Sequence, residues 1–387
     1  MTAIKIFWII VQVYIGFQLV FPLLLVAIKT IRGKKAVNVT TGILPDYAVI
    51  ITAYEQTDQL PEVVSSVLAM DYSNYMIYVV ADKCDISNLN FDSDKVILLK
   101  PEQVLAGNVR SHFYAIRNFV RNHTHLTIID SDNLVANNYL TALTTFFQAG
   151  YEAVQGIRSA KNIDTMYARL DAARDIYYHY YDGEMLFGAG SSATLAGSGM
   201  AFSTRLFRDC LENQDISGAG FDKVLQHAIV NRGYRIAFAE QAIVFDEKTT
   251  GSEQLVNQRA RWINTWFRYF SLGFGLAGNG IAKLNWNKFL FGLVLLRPPL
   301  FIFLILSVLF MLINVWLLPV VALSWFVAIL IFIAGFFLSL VKSDTDPKIY
   351  QSLKGIPQFM FLQFLSLLKI KKANKISVAT RHNVKGV

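Results

Sequence analysis

The sequence contains only two cysteines, Cys84 and Cys210, and they do not form a CxxC pair. Neither a disulfide framework nor a cysteine zinc site is supported, and reduced thiols are expected. The six histidines lack the spacing to Glu or Cys that metal ligands show, and we predict no catalytic role for the first five. No predicted strand is followed by a GxGxxG loop and no GxxxxGK[ST] occurs, so dehydrogenase and ATPase functions lose their usual support.

Charge is absent from the stretch Pro298–Val341. At about 1.5 Å per residue this stretch is about twice as long as the hydrocarbon core of a bilayer is thick, which predicts two crossings. Asn314 and Pro319 interrupt its middle, and we expect helices at about Pro298–Leu317 and Val320–Val341. The missing charge also argues against a transporter, because the usual intramembrane coupling site is lacking.

An apolar run near the N-terminus, Ile6–Ile28, is also long enough to cross a bilayer and contains no charged residue. It lacks a clear small-x-small cleavage site, so an uncleaved anchor is favoured over a signal peptide. Four basic residues follow the run closely, whereas only Lys5 precedes it. By the positive-inside rule the next domain lies in the cytoplasm, which predicts a multi-pass protein of the plasma (inner) membrane.

Hydrophobic residues make up 54% of the chain, which is more than a soluble core requires. The net charge of +8 comes from Lys and Arg beside the apolar segments. A membrane partner is therefore favoured and no nucleic acid is expected, because a continuous basic surface with interleaved aromatics is missing. The run Ile356–Leu368 is short for a span, and an interfacial or re-entrant helix is expected there.

Five segments are expected along the chain. They are an N-terminal anchor with its basic flank, a cytosolic catalytic domain, amphipathic interfacial helices, two transmembrane helices and a basic C-terminal segment. Their expected boundaries are residues 1–35, 36–250, 251–297, 298–342 and 343–387.

In the cytosolic segment, short β-branched runs alternate with helical patterns, which is typical of an α/β domain with a largely parallel sheet. Strands are expected at Tyr47–Ala53, Met76–Ala81, Val96–Leu99 and Leu126–Ile129. Helices are expected at Leu60–Met70 and Val109–Val120. Asp82 and Asp130 directly follow two of the strands. Ligands bind beyond the carboxyl ends of strands in such sheets, so these acids mark the expected nucleotide site.

The turn Asp130-Ser131-Asp132 is one candidate site. Because it directly follows a strand, it can aim one or both carboxylates at a hard cation that carries a diphosphate. The alternative is an Asp-rich turn whose side chains cap local backbone groups. The other motifs of the chain favour the metal role.

Asp222 follows a glycine-rich approach and opens a helix that is expected to run to about Asn231. One carboxylate within hydrogen-bonding reach is enough to act as general base for a sugar hydroxyl. The alternative is an acid that the helix dipole stabilises, and this is what the local sequence alone favours. The order of the motifs reverses that preference.

A later helical pattern carries Gln258, Arg261 and Trp262, with aromatic residues recurring every four positions from Trp262 onward. This stripe is expected at the membrane interface. A guanidinium suits bidentate phosphate binding and an indole face suits stacking beneath a sugar ring, so Arg261 and Trp262 are expected to bind substrate. Simple anchoring, with Arg259 and Arg268 near lipid headgroups, is the alternative.

Taken in order, these motifs resemble the family 2 inverting glycosyltransferases of the membrane-integrated, processive type, which include cellulose, chitin and hyaluronan synthases and also ceramide glucosyltransferases. The resemblance covers most of the chain from about Pro45 to Trp262, together with the membrane layout. It implies a GT-A nucleotide-sugar-binding domain with a mixed, mainly parallel sheet. It also implies a UDP-sugar donor, a Mg or Mn ion, and a polysaccharide or lipid acceptor.

The resemblance implies roles for single residues as well. The donor would be bound by Glu55, Asp82, Asp130, Gln258 and Arg261. The metal would be held by Asp130 and Asp132. The acceptor would be contacted by Gly199 and Met200 of a Gly-x-Gly-Met segment and by Trp262. Asp222 would be the catalytic base.

The chain departs from the family pattern at the base, where Gly220-Phe221-Asp222 replaces Thr-Glu-Asp. A late Thr-x-His motif of the family is similar to the segment 380–382. We hypothesise transfer of a hexose or N-acetylhexosamine from a UDP-sugar, with inversion, to a growing polysaccharide. The alternatives are a single transfer to a glycolipid and a catalytically inactive nucleotide-binding membrane scaffold. About three crossings make a narrow path for a polymer, so secretion would need an export partner or a homo-oligomer.

Overall fold

A computed structural model describes residues 3–33, 44–214, 216 and 218–372 of the chain. Within these residues the strands form a single eight-stranded sheet. They are β1 (Tyr47–Tyr54), β2 (Tyr75–Asp82), β3 (Val96–Leu99), β4 (His125–Asp130), β5 (Leu134–Val135), β6 (Ala153–Ala160), β7 (Met200–Ser203) and β8 (Ile236–Asp246). The segment 380–382 lies outside the described residues.

The helices of the same residues surround this sheet and continue beyond it. They are α1 (Ala3–Arg32), α2 (Leu60–Leu68), α3 (Asn108–Arg117), α4 (Tyr139–Gln148), α5 (Met166–Tyr178), α6 (Leu186–Gly188), α7 (Thr204–Leu211), α8 (Phe221–Asn231), α9 (Ser252–Tyr269), α10 (Leu272–Ala282), α11 (Trp286–Leu296), α12 (Leu300–Leu317), α13 (Pro319–Lys342), α14 (Pro347–Ser352) and α15 (Ile356–Leu368). A π-helix, His179–Met185, joins α5 to α6, and 3₁₀ turns at Leu353–Gly355 and Ile370–Lys372 flank α15.

The strand order is β3-β2-β1-β4-β7-β6-β8-β5. The neighbours β3, β2, β1 and β4 are parallel, and so are β6 and β8. Strand β7 runs antiparallel to both β4 and β6, and β5 runs antiparallel to β8. The sheet is therefore mixed and mainly parallel, as the sequence predicted.

The central strands are buried on both faces because their side chains alternate between two hydrophobic cores. Ile50 of β1 and Ile128 of β4 point into one core, while Val49 and Ile129 point into the other. Helices on both faces are the usual environment of parallel strands, whose sequences then read as continuous apolar runs. This is why the four parallel strands were recognisable in the sequence, and each agrees with its predicted range to within one residue at either end.

Strands β5, β6, β7 and β8 were not predicted. Strands β6 and β8 carry polar or charged residues that the fold buries, Gln155 and Asp246 among them. Strand β7 has only four residues and leaves no periodic signal. Their pairing depends on contacts between distant parts of the chain, which local patterns do not report.

Three helices of the described residues, α1, α12 and α13, are long and apolar enough to cross a membrane. They pack on one another, and Phe310 contacts both Trp8 and Trp325 with ring centroids 5.2 Å and 5.5 Å apart. The amide oxygen of Gln12 on α1 accepts hydrogen bonds from Asn314 and from the indole of Trp325, at 2.6 Å and 3.0 Å. A polar residue in each helix therefore helps to hold the bundle together.

The bundle is joined to the domain that contains the sheet by buried polar contacts. Arg297, just before α12, forms an ion pair with Asp182 of the π-helix, and both side chains are buried. The hydroxyl of Tyr181 donates to the carbonyl of Gly335 on α13 at 2.7 Å. A π-helix often marks a functional or strained position in a helix, and here it carries the contacts between the two parts.

Helices α9, α10 and α11 follow the sheet, and α15 packs on α9. Helices α10 and α11 approach closely at Gly280, which has no side chain. A Cβ atom there would lie 2.4 Å from the backbone nitrogen of Phe289. The segment Gly273–Gly278 reads GxGxxG, but it lies inside α10 and not at a strand-to-helix turn, so it is not a dinucleotide loop. The predicted segment boundaries and the interfacial position of these helices remain predictions.

Candidate active site

The candidate site lies at the carboxyl edge of the central parallel strands. Strands β1, β2 and β4 are neighbours; β1 is followed by Glu55, and β2 and β4 end at Asp82 and Asp130. The carboxyl ends of parallel strands lie at one edge of a sheet. The predicted nucleoside residues and the predicted metal turn, Asp130–Asp132, therefore lie at the same edge. The strand order thus brings these acids, which are distant in sequence, to one edge of the sheet.

Asp82 is almost fully buried, and both of its carboxylate oxygens accept backbone hydrogen bonds. The donors are the amides of Leu105 and Ala106, at 3.0 Å and 2.8 Å. Ala106 has a positive φ of 47°, a conformation that costs energy for a residue with a Cβ atom. Asp82 therefore holds the loop before α3 in shape at the edge of the site, and its contact with a nucleoside remains a prediction.

Glu55 and Lys83 extend from the ends of β1 and β2 and form an ion pair of 2.7 Å. Both have positive φ angles, 61° and 54°. Their side chains are 41% and 53% exposed, so the pair contributes little to stability by itself. Positive φ angles cost energy for residues that have a Cβ atom, so the backbone is strained where both strands end.

The turn Asp130–Asp132 is held in place by a buried serine that sequence reasoning missed. The Ser198 hydroxyl accepts hydrogen bonds from the Asp130 amide at 3.1 Å and from the Asn133 side-chain amide at 2.8 Å. Gly199 follows with a φ of 66°, and a Cβ atom there would lie 2.9 Å from Val244. The Gly-x-Gly-Met segment thus supports the turn from behind.

Met200, the last residue of that segment, is fully buried in one of the two hydrophobic cores. It pairs with Ile128 of β4 and with Gln155 of β6. Its side chain therefore packs inside the domain. The predicted contact of Gly199 and Met200 with an acceptor is not tested by these positions and remains a prediction.

Asp130 lies in a concentration of negative charge. Burial, together with the nearby carboxylates of Asp132, Asp246 and Asp222, raises its pKa to about 7, against the opposing charge of Arg158. Acids that gather in this way disfavour each other's ionised forms. Asp222, on α8, is therefore close enough to Asp130 for their charges to interact.

Asp222 is brought to this edge by close packing between the start of α8 and α9. Gly220 precedes α8 with a φ of 104°, and a Cβ atom there would lie 2.6 Å from Thr265 and 2.7 Å from Tyr269 on α9. The Asp222 side chain is 16% exposed and forms a 3.0 Å ion pair with Lys223. The chain departs from the family pattern at Gly220, and the packing explains the glycine there. Helix α9 leaves no space for a side chain at this position.

Arg261 lies one helical turn before Thr265, and Tyr269 lies one turn after it. Residues four apart share one face of a helix, so Arg261 faces the same side of α9 as the residues that touch Gly220. Burial lowers the pKa of its guanidinium, which stays protonated at neutral pH. The expected phosphate-binding cation therefore lies on the side of α9 that packs against the start of α8.

Trp262 has an environment that the sequence did not predict. The guanidinium carbons of Arg259 and Arg174 lie 4.0 Å and 4.3 Å from its ring centre. These distances place both cations over the ring, in the range of cation–π contact. At least part of the indole face that was expected beneath a sugar is covered, and the predicted acceptor contact of Trp262 remains a prediction.

Arg259 also differs from its expected position near lipid headgroups. It is buried and forms an ion pair with Asp171 of α5. Asp171 is shared with Arg174, whose guanidinium lies 3.0 Å away. The interface alternative is therefore wrong for Arg259. Gln258, the first residue of the motif, accepts a long hydrogen bond of 3.4 Å from the Thr249 hydroxyl.

A paired charge network continues from Asp171 toward the metal turn. Lys248 is 2% exposed and lies 2.7 Å from Asp246, which in turn lies 2.6 Å from Arg158. Lys248 also binds Asp175 of α5. The partners are distant in sequence, so no local motif could have revealed them. The network joins α5, β6 and β8 directly beside Asp130.

The residues at the turn fit a hard divalent cation. Carboxylate oxygens are the ligands that Mg and Mn prefer, and a cation would relieve the repulsion that raises the pKa of Asp130. No group of three His, Cys, Asp or Glu side chains in the described part of the chain could hold a metal. Two carboxylates completed by substrate phosphates are a usual arrangement for such an ion.

Comparison with known proteins identifies the family and the fold of the chain. Residues 45–265 match the family model described as "Glycosyltransferase like family 2", whereas no curated protein matches the sequence. Among solved structures, the mannosyltransferase PcManGT from Pyrobaculum calidifontis, in complex with GDP-Man and Mn²⁺, aligns with a TM-score of 0.53 at 14% identity over 94% of this chain and 97% of that one.

A second solved structure, TarS 1–349 from S. aureus in complex with UDP-GlcNAc, has a TM-score of 0.39 at 14% identity over 64% of this chain and 79% of that one. The likeness to the mannosyltransferase shows the GT-A fold. The family model spans more than half of the chain and includes every predicted site residue. The chain therefore belongs to glycosyltransferase family 2 and has a GT-A catalytic domain.

Proposed function

We propose that the protein transfers a hexose or N-acetylhexosamine, with inversion, from a nucleoside diphosphate sugar to an acceptor hydroxyl at a membrane. The observation that carries the proposal is the closeness of Asp132 and Asp222 to Asp130, whose pKa is raised by burial and by their charges. Arg261 lies on the face of α9 that packs against the start of α8. An inactive scaffold would gain nothing from gathering these partly buried acids.

Asp222 is the proposed base. Its carboxylate would take the proton of the acceptor hydroxyl as the oxygen attacks the anomeric carbon from the side opposite the leaving group. Arg261 would bind the diphosphate through its guanidinium. Asp130 and Asp132 would hold Mg or Mn, which when bound supplies positive charge against the departing diphosphate.

The donor base remains a choice between uracil and guanine. The family resemblance favours a UDP-sugar, whereas the mannosyltransferase that is similar in fold was solved with GDP-Man. The loop held by Asp82 and the pair Glu55–Lys83 border the place where a nucleoside would lie. We propose that these residues contact the nucleoside, with UDP as the first donor to test.

The test is to incubate membranes that contain the protein with labelled UDP-sugars and GDP-sugars, with and without Mg, Mn and a chelator. One donor should label a product and release its nucleoside diphosphate only when the metal is present. In the Asp222→Asn variant, turnover should fall by about 10²–10⁴-fold while donor binding is kept. Turnover at the wild-type rate in this variant would remove Asp222 as the base.

A further inference from the structure

We propose that the acceptor is a membrane lipid with a free hydroxyl in its headgroup, which receives a single sugar while its apolar part lies on an aromatic surface of α9 and α10. This inference rests on the proposed function and deepens it, because it names the acceptor class. The aromatic surface consists of Trp266, Phe267, Phe270 and Phe274. Two independent features of the fold support it.

The first feature is the position of this surface next to the base. Gly220, two residues before Asp222, touches Tyr269 of α9. Asp222 is also close enough to Tyr269 to help burial raise the pKa of the tyrosine hydroxyl. Trp266 and Phe270 directly follow Thr265 and Tyr269 in the chain, and beside them Phe267 and Phe274 are 50% and 63% exposed.

The aromatic surface is organised and not a scatter of single residues. The rings of Trp266 and Phe270 stack with centroids 4.8 Å apart, and Phe267 and Phe274 contact them at 4.9 Å and 6.2 Å. Contiguous exposed apolar surface beside a polar site marks a place for a membrane or an amphiphilic ligand. Aromatic rings suit the boundary between headgroups and acyl chains.

The second feature is the filled interior of the membrane helices. Phe303, Phe310, Trp325 and Phe332 are buried where α1, α12 and α13 meet. Gly16 of α1 lies against the Trp325 ring, with a Cβ position 3.6 Å from it. Side chains thus occupy the centre of the bundle, and the exposed apolar residues of α12 and α13 lie on its outside. An acceptor would therefore reach Asp222 sideways from the membrane surface.

The chemistry of the base favours a hydroxyl over a phosphate as the attacking group. A lipid phosphate is already ionised at neutral pH and has no proton that must be removed before attack, whereas a hydroxyl needs a base. In the proposed step Asp222 takes the hydroxyl proton and the acceptor oxygen bonds to the anomeric carbon. The bond from that carbon to the diphosphate oxygen breaks, and its electron pair leaves with the nucleoside diphosphate.

The test uses the full chain reconstituted in phosphatidylcholine vesicles, with the donor that the incubation with labelled UDP-sugars and GDP-sugars identifies. Separate vesicles contain diacylglycerol, ceramide, a monoglycosyl diacylglycerol or a polyprenyl phosphate. We expect label in the organic extract of a hydroxyl lipid, with one sugar per lipid by mass spectrometry. Label in polymer that stays in the aqueous phase, or on the polyprenyl phosphate alone, would overturn the proposal.

Two double variants separate a specific role of the aromatic surface from general apolar contact. Phe267→Ser with Phe274→Ser should raise the KM for the lipid by about 10-fold or more, since two partly exposed phenyl groups lose their apolar contact. Phe326→Ser with Phe337→Ser, on the exposed face of α13, should leave that KM unchanged. Equal KM values in both variants would overturn the assignment.

The outcome also distinguishes the two proposals. Release of nucleoside diphosphate with a polymer product would keep the proposed glycosyltransferase function and reject the lipid acceptor. Absence of donor binding and of nucleotide release with every UDP-sugar and GDP-sugar would reject both.

Discussion

Two neighbouring groups of partly buried carboxylates behave differently in this protein. At the turn Asp130–Asp132, burial and the charges of Asp132, Asp246 and Asp222 raise the pKa of Asp130 to about 7. In the adjoining network, burial would also raise the pKa of Asp175, but the charges of Arg174 and Lys248 outweigh it and lower the pKa. At Asp130 burial and repulsion outweigh the attraction of Arg158, whereas at Asp175 the attraction of cations outweighs burial.

The difference teaches how the domain divides its charges. A buried carboxylate without sufficient compensation costs stability and is retained where chemistry needs it. A carboxylate paired with buried cations holds elements together and leaves little charge for a ligand. Asp246 belongs to both groups, because it faces Asp130 and is paired with Arg158 and Lys248.

The largest effect is expected from a substitution in the first group of carboxylates. Replacing Asp130 with Asn removes a metal ligand and should lower transfer by about 10³-fold, which corresponds to the several kcal/mol that a metal supplies to charge stabilisation. Initial rates at saturating donor and metal measure this loss. Activity within a few-fold of wild type would show that Asp130 does not hold the metal.

The same Asp130→Asn protein should be more stable than wild type when no metal is present. The pKa of Asp130 in the fold, about 7, lies above that of an unfolded aspartate, so the folded protein binds more protons between about pH 4 and pH 7. Wild type thus loses stability as the pH rises through this window, by at most about 4 kcal/mol. The difference in unfolding temperature between the two proteins should be larger at pH 8 than at pH 5.

The second group should respond in the opposite direction. Asp175→Asn leaves Lys248 and Arg174 with less compensation and should lower the free energy of unfolding by about 3–5 kcal/mol at neutral pH. Because the pKa of Asp175 is depressed in the fold, its stabilisation exists above about pH 4 and is lost as the pH falls. Denaturant unfolding with and without metal gives the measurement. A rise in stability would contradict the division into two groups.

The smallest expected effect concerns Trp262. Trp262→Phe weakens the contact with Arg174 and Arg259 and should lower the free energy of unfolding by about 1 kcal/mol. If the ring serves only to hold α9 against α5, the KM for the acceptor should stay within about twofold of wild type. A large rise in that KM with unchanged stability would instead assign Trp262 to the acceptor. Arg174→Lys, which keeps the charge, is the matched control.

The sequence predicted the parts of the fold that follow from local pattern. The strands around Ile50, Val79 and Ile128 were recognisable because continuous apolar runs mark strands buried on both faces. The membrane helices were recognisable because about twenty uncharged residues are enough to cross a bilayer. The turn at Asp130 was recognisable because its acids directly follow such a strand.

The rest was not available from local pattern, because the partners are far apart in the chain. Arg259 and Asp171 are separated by 88 residues, and Lys248 and Asp175 by 73. The role of Ser198 behind the metal turn depends on a strand of four residues, β7, that pairs between two longer ones. The sequence left lipid contact open as an alternative for Arg259, whereas the fold buries it against α5.

The sequence by itself determined the membrane-spanning lengths, because composition sets them, and the residue types of the site, whose motifs carry the resemblance to the family. Only the tertiary structure decided which charges are paired and which are exposed to a ligand. It also decided that Gly220 lets α9 approach Asp222 and that aromatic rings fill the centre of the membrane helices. These features depend on packing between distant elements, which no local pattern encodes.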